Sequence, residues 1–265
     1  MDMTLNDYIK NPMGRYNAVL NASTREILRV RYSKKFDNIL LRENGKIEYH
    51  LFYNHKNNEY WAYIKVPSEV VKRFYYDVVF KFSANASKGG GDDLFDYNMK
   101  VYSNDPAFVF TYAHAFAKNN LFIKELSGKM SRQALTQDAK EKNPTNDVGY
   151  VKALYFAYLL MKSKKLNRIA RFKTECRDLD PAFLMNHIEP ADDKIRKRQE
   201  EGAKVSTRKK IEVDQTTLRN IKKYTNSDTD MSRLQIRTTK SVSKIKNSAN
   251  GNAKTTKRTR SVKRK

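Results

Sequence analysis

Cysteine is all but missing from this sequence. Cys176 stands alone among 265 residues, so no disulfide can close within the chain, and the paired Cys/His spacings of zinc sites are absent. That scarcity fits a reducing compartment or a fold that does without bridges. Long apolar runs are missing too. The longest, ALYFAYLLM at 153–161, has nine residues, where a membrane-spanning helix needs roughly twenty. The opening MDMTLNDYIK is acidic and polar and lacks the pattern of a signal peptide. No membrane partner is expected. The four histidines, His50, His55, His114 and His187, never pair at metal-ligand spacing, and no cofactor or metal is expected.

Carboxylates are missing where positive charge is densest. Residues 231–265 hold twelve Lys and Arg and no Asp or Glu, half of the formal net charge of +24. The same stretch has ten Ser and Thr and no aromatic residue. Such a composition cannot bury enough surface to offset roughly 1–2 kcal/mol of backbone entropy per residue, so a basic disordered tail is expected over 203–265. Cations of this kind meet phosphates and release condensed counterions. The candidate contacts are Arg233, Arg237, Lys240, Lys244, Lys246, Lys254, Lys257, Arg258, Arg260, Lys263, Arg264 and Lys265. If roughly six engage a duplex, log affinity falls against log salt with a slope near −5. An unfolded run reads backbone rather than base edges, so the contact is expected to be non-specific. A solvated tail that only aids solubility is the plainer reading. KRTRSVKRK (257–265) also has the composition of a nuclear-localisation run, as any such tail does.

What is present ahead of the tail is aromatic and patterned. In 1–46 the signal is mixed: TLNDYIK suits a helical turn, and Ser23 or Thr24 suits a cap for a helix through REILRVRYSKKF. From Ile47 the alternation is that of strands. KIEYHLFYN and EYWAYIKV read as an antiparallel hairpin turning at HKNN, followed by FYYDVVFKF and LFDYNMKVYS. SANASKGGGDD between the last two reads as a mobile loop. KGGGDD lacks the Gly-Lys-Ser/Thr ending of a phosphate loop and continues into two aspartates. Period 3.6 then takes over. Asp105 and Pro106 occupy N-cap and N1 of a helix to about residue 118, carrying Phe108, Tyr112, Ala115 and Phe116 at helical spacing. A long helix is expected over 147–165, with lysines at its C-terminal end where the helix dipole favours them. A short helix capped by Asp180 and a charged helix or linker over 188–202 complete the reading. The fold class is α+β: an antiparallel sheet of about four strands with packed helices, its globular core at 47–187.

Two further chemistries, besides the phosphate contacts of the tail, compete for this scaffold. The face opposite the apolar one interleaves aromatics with lysines, and Trp61, Tyr63 and Tyr75 there could stack bases, the mode of single-strand DNA- and RNA-binding sheets. Burial of that face under a helix is the plainer reading. Asp92, Asp93 and Asp96, or Asp178 and Asp180, could serve a metal-dependent nuclease, though capping roles explain them equally. No residue is singled out as catalytic.

The runs KVYSNDPAFVFTYAHAF (100–116) and KNPTNDVGYVKALYFAYLL (142–160) resemble virion-associated structural proteins of tailed bacteriophages. The matching residues are packing and capping residues over roughly 45–165. The resemblance implies a non-enzymatic structural role near packaged DNA, in a virion or host cytoplasm, with other protein subunits of an assembly as partners. The many tyrosines suit such interfaces, since the ring buries while the hydroxyl stays bonded.

Overall fold

The computed structural model describes residues 2–10, 22–84, 91–143 and 146–203, with side chains in the second stretch from residue 30. The basic run beyond 203 and the glycine run 85–90 lie outside the described residues, and with them the expectations placed there. Residues 1–205 form one compact unit.

The expected antiparallel meander is present. Strands β1 (Tyr49–Asn54), β2 (Glu59–Pro67), β3 (Tyr75–Ser83) and β4 (Asn98–Ser103) pair in sequence order. The β1–β2 turn is closed by Asn58 at φ +52°, a conformation asparagine tolerates better than most side chains. A fifth strand, β5 (Arg177–Asp178), runs parallel to β1 and gives the order β4-β3-β2-β1-β5. Two residues are too few to show alternation, which is why four strands were expected. The stretch before β4 is also shorter than its pattern suggests. Leu94–Asp96 wind into a 3-10 turn because the Asp93 carboxylate accepts from the Phe95 N–H.

Both faces of the sheet are covered. Ala62, Ile64, Val66, Val78, Phe80, Phe82, Met99 and Val101 alternate on one face and are buried. Helix α1 (Leu5–Lys10), helix α2 (Ala22–Arg42) and the long helix described below complete the same cluster, α2 through Phe36 and Ile39. Ser23 and Thr24 fall inside α2 rather than capping it. After β4, Asp105 Oδ1 accepts from the N–H groups of Ala107 and Phe108 at 2.9 and 3.4 Å, starting the expected helix over 106–118. Its middle, Phe108–Tyr112, is a π turn, and α3 (Ala113–Lys118) continues it. Lys124–Lys129 form a 3-10 segment and Arg132–Thr136 form α4.

Helix α5 (Lys152–Ser163) begins five residues later than its apolar pattern suggests. Val151 is extended, and its N–H donates to the Tyr8 hydroxyl at 2.9 Å, while that hydroxyl donates to the Gly149 carbonyl at 3.0 Å. The buried Tyr8 thus holds 149–151 out of the helix, and burial raises its own pKa. Helix α5 is apolar nearly all round because it lies between α2 and the sheet. Helices α6 (Ile169–Glu175) and α7 (Pro181–His187) follow, α7 capped by Asp180 as expected. Residues 191–203 form a last helix, α8. The stretch 188–202, expected as a charged helix or linker, is thus largely helical, and Ile188, Ala191 and Ile195 belong to the core cluster, so it is packed against the body.

Candidate nucleic-acid interface

The aromatic side of the sheet is closed. Trp61 is 3% exposed and Tyr63 fully buried. Phe183 of α7 lies against His50 and Phe52, ring centroids 4.9 and 5.4 Å apart, and the Arg177 guanidinium sits over Phe52 and Phe183 at 4.8 and 4.3 Å. Lys81 Nζ lies 4.9 Å from the Trp61 ring centroid and is gripped by Glu59 and Glu125 at 2.8 and 2.6 Å. Burial pulls that ammonium's pKa down, but the two carboxylates outweigh it and hold it above its usual value. A base cannot reach Trp61 or Tyr63: of the two readings of this face, burial holds and the stacking platform does not, and the face forms a second core layer. Tyr75 is half-buried at the margin, and its hydroxyl donates to Glu43 at 2.9 Å.

A polar node fastens the C-terminal segment onto this layer. Asp77, buried beneath it, accepts from the Tyr63 hydroxyl, the Asn104 amide and the Glu189 N–H at 2.9, 2.7 and 3.1 Å. Burial is the largest influence on its carboxyl, exceeds the pull of Lys194 and the donors, and raises the pKa. The node helps explain why a segment as charged as 188–202 stays on the sheet: its backbone supplies one of the three donors to the buried carboxylate, the Glu189 N–H, and the Glu189 carbonyl accepts from Asn104.

The aspartates considered for metal chemistry are each engaged otherwise. Asp93 caps the 3-10 turn and accepts from Asn167, Asp96 accepts from Asn6, and Asp92 faces Arg168 at 3.9 Å. Asp178 pairs with His55, and Asp180 caps α7. Among the described residues no three His, Cys, Asp or Glu side chains converge as a metal site would require. No helix among them is long and apolar enough to cross a membrane.

A different surface emerges where α5 ends. Residues 162–177 carry seven Lys and Arg and one carboxylate, Glu175. The helix dipole accounts for the lysines at the end of α5. The geometry does more with them. The chain leaves α5 through Lys165 at φ +57°, with the Leu166 N–H bonding back to the Met161 carbonyl at 2.8 Å, a Schellman-type ending in which glycine is the usual residue. It then pairs with 92–94: the Leu94 N–H donates to the Asn167 carbonyl at 2.7 Å and the Ile169 N–H to the Asp92 carbonyl at 3.0 Å. After α6 it joins the sheet as β5. Lys162, Lys165, Arg168, Arg171, Lys173 and Arg177 are exposed along this path. Arg171 is paired with Glu175. Lys162, Lys164, Lys165 and Lys173 have no carboxylate at ion-pair distance among the described residues. The signal was in the sequence as a local count, and only the turn and the strand place the later charges beside the helix-end lysines.

No protein-family model, curated protein or solved structure matches this chain.

Proposed function

We propose that this protein is a non-enzymatic structural or architectural component that grips nucleic acid through phosphate contacts made by its C-terminal cations. The observation that supports it most is the distribution of charge: twelve basic residues and no carboxylate in 231–265, within a chain of net +24. A field of that sign concentrates polyanions and speeds their capture. The folded body supplies location through contacts with other subunits. By the resemblance of 45–165, the setting is a tailed-phage particle beside packaged DNA.

The test is duplex affinity of the full chain across a salt series. It is compared with a variant in which Lys254, Lys257, Arg258, Arg260, Lys263, Arg264 and Lys265 are all glutamine. The variant should bind more weakly with a visibly shallower salt dependence. Equal affinity and equal slope would remove the tail from the mechanism.

A further inference from the structure

We infer that the folded body carries its own phosphate-backbone contact, the strip formed by the end of α5, α6 and β5, which engages the same nucleic acid as the tail. This rests on the nucleic-acid reading above. Residues 1–185 contain thirty basic and twenty acidic side chains. Six of the ten excess positive charges therefore fall within the sixteen residues of 162–177. Elsewhere on the body several cations are tied to carboxylates: Lys35 and Lys152 to Glu69, Lys65 to Glu48, Arg196 to Asp193. In the strip four lysines are not, and what sets it apart is density, seven cations to one carboxylate within sixteen residues.

The strip is held rather than loose. The helix ending, the pairing with 92–94 and the β5–β1 ladder fix its backbone at three places. A scaffold fixed in advance loses less entropy on binding than a free tail does. The chemistry of the surface selects the ligand. None of the large exposed apolar side chains, Val30, Leu41, Val70, Phe110 and Met185, lies in it, so it has nothing to insert into a bilayer. The tyrosines beneath are spoken for. Lys164 covers the Tyr49 ring at 5.4 Å and Lys173 the Tyr53 ring at 5.5 Å, and both hydroxyls bond to side chains, Glu175 and Asn58. With no open aromatic face, the strip offers phosphate contacts and no base stacking, so its binding is independent of sequence.

The experiment uses the full chain and a short labelled duplex across a salt series. Lys162, Lys165 and Lys173 are changed together to glutamine, and in a second variant together to arginine. Three lost phosphate contacts make the slope of log affinity against log salt shallower by about 3 and weaken binding on the order of a hundredfold near 0.1 M salt. The arginine variant should keep the wild-type slope, and both variants should keep the wild-type melting temperature. A glutamine variant with wild-type slope and affinity overturns the inference and leaves the tail reading standing. So does an arginine variant as weak as the glutamine one, since that loss is not one of charge. Loss of binding to anionic lipid vesicles with duplex binding intact also overturns it. A wild-type chain that binds no duplex at all sinks both readings together.

Discussion

Gly149 is the position where the packing is least forgiving. A Cβ built there would lie 2.1 Å from Tyr112 Cε1, 2.6 Å from Cζ and 2.9 Å from the hydroxyl oxygen. Those distances are far below contact, so either the Tyr112 ring or the 149 backbone must move by more than an ångström. Neither is free. Tyr112 is buried in the π turn, and the backbone of 149–151 is held on both sides of the Tyr8 hydroxyl. Overpacking of this kind costs about 1–3 kcal/mol, and straining two buried hydrogen bonds adds about 1 kcal/mol. Gly149→Ala should therefore cost about 3 kcal/mol in urea unfolding, a drop of roughly 6–12 °C for a domain of this size. Tyr112→Leu removes the three atoms in conflict. In that background Gly149→Ala should cost under about 1 kcal/mol, a coupling that a double-mutant cycle reads directly. A cost below about 0.5 kcal/mol in the wild type, or a full cost in the Tyr112→Leu background, refutes the reasoning.

Four further outcomes follow from the same structure. Lys165→Gly relieves a left-handed residue and should raise stability by about 1 kcal/mol in urea unfolding, while the salt slope for duplex binding becomes shallower by about 0.9. Asp105→Ala strips two N–H groups of their acceptor and should cost about 1–2 kcal/mol in the same assay. Trp61→Ala should cost about 3–5 kcal/mol as a core truncation; a variant that stays fully stable yet loses nucleic-acid binding would restore the stacking platform. The raised carboxyl of Asp77 gives stability that is complete below the ordinary aspartate value of about 3.9 and declines as pH rises through the folded value. The deficit of Asp77→Asn against wild type should be largest at about pH 4 and smaller at neutrality, and melting curves showing the reverse trend count against that assignment.

The meander was legible because β1 to β4 alternate over six to nine residues each and their turns carry the expected chemistry. Asp105 and Asp180 were legible as caps because a capping carboxylate needs only local sequence. What escaped is what depends on distant partners. The delay of α5 to Lys152 depends on the hydroxyl of Tyr8, more than a hundred residues away, beside a local turn at Asn143–Asp147. The second face was ambiguous because aromatics among lysines suit a wet platform and a layer beneath a polar segment equally. The signal that decides it, Ile188, Ala191 and Ile195 at helical spacing, is faint among the charges of 188–202. The Asp77 node that holds the segment down joins residues from four separate stretches and leaves no pattern in any of them.

With both faces of the sheet closed, the basic strip lies along its β5 edge. Charged side chains at a rim have a plainer use: they keep a free strand edge from pairing with another chain. That role accounts for Arg177, which sits in β5 itself. It does not account for Lys162 and Lys165, which belong to the end of a helix, or for Lys173, which lies over tyrosine rings from α6. Edge protection also works with either sign of charge, yet the path carries seven cations to one carboxylate, and the neighbouring Asp93 is turned to the Phe95 N–H and the Asn167 amide. Lys165 adds a conformational cost of its own, where glycine would end the helix with less strain and guard no edge the worse. On the proposed phosphate contact, a cation at a position where it weakens the fold serves an anion; protection of a strand does not ask for one there.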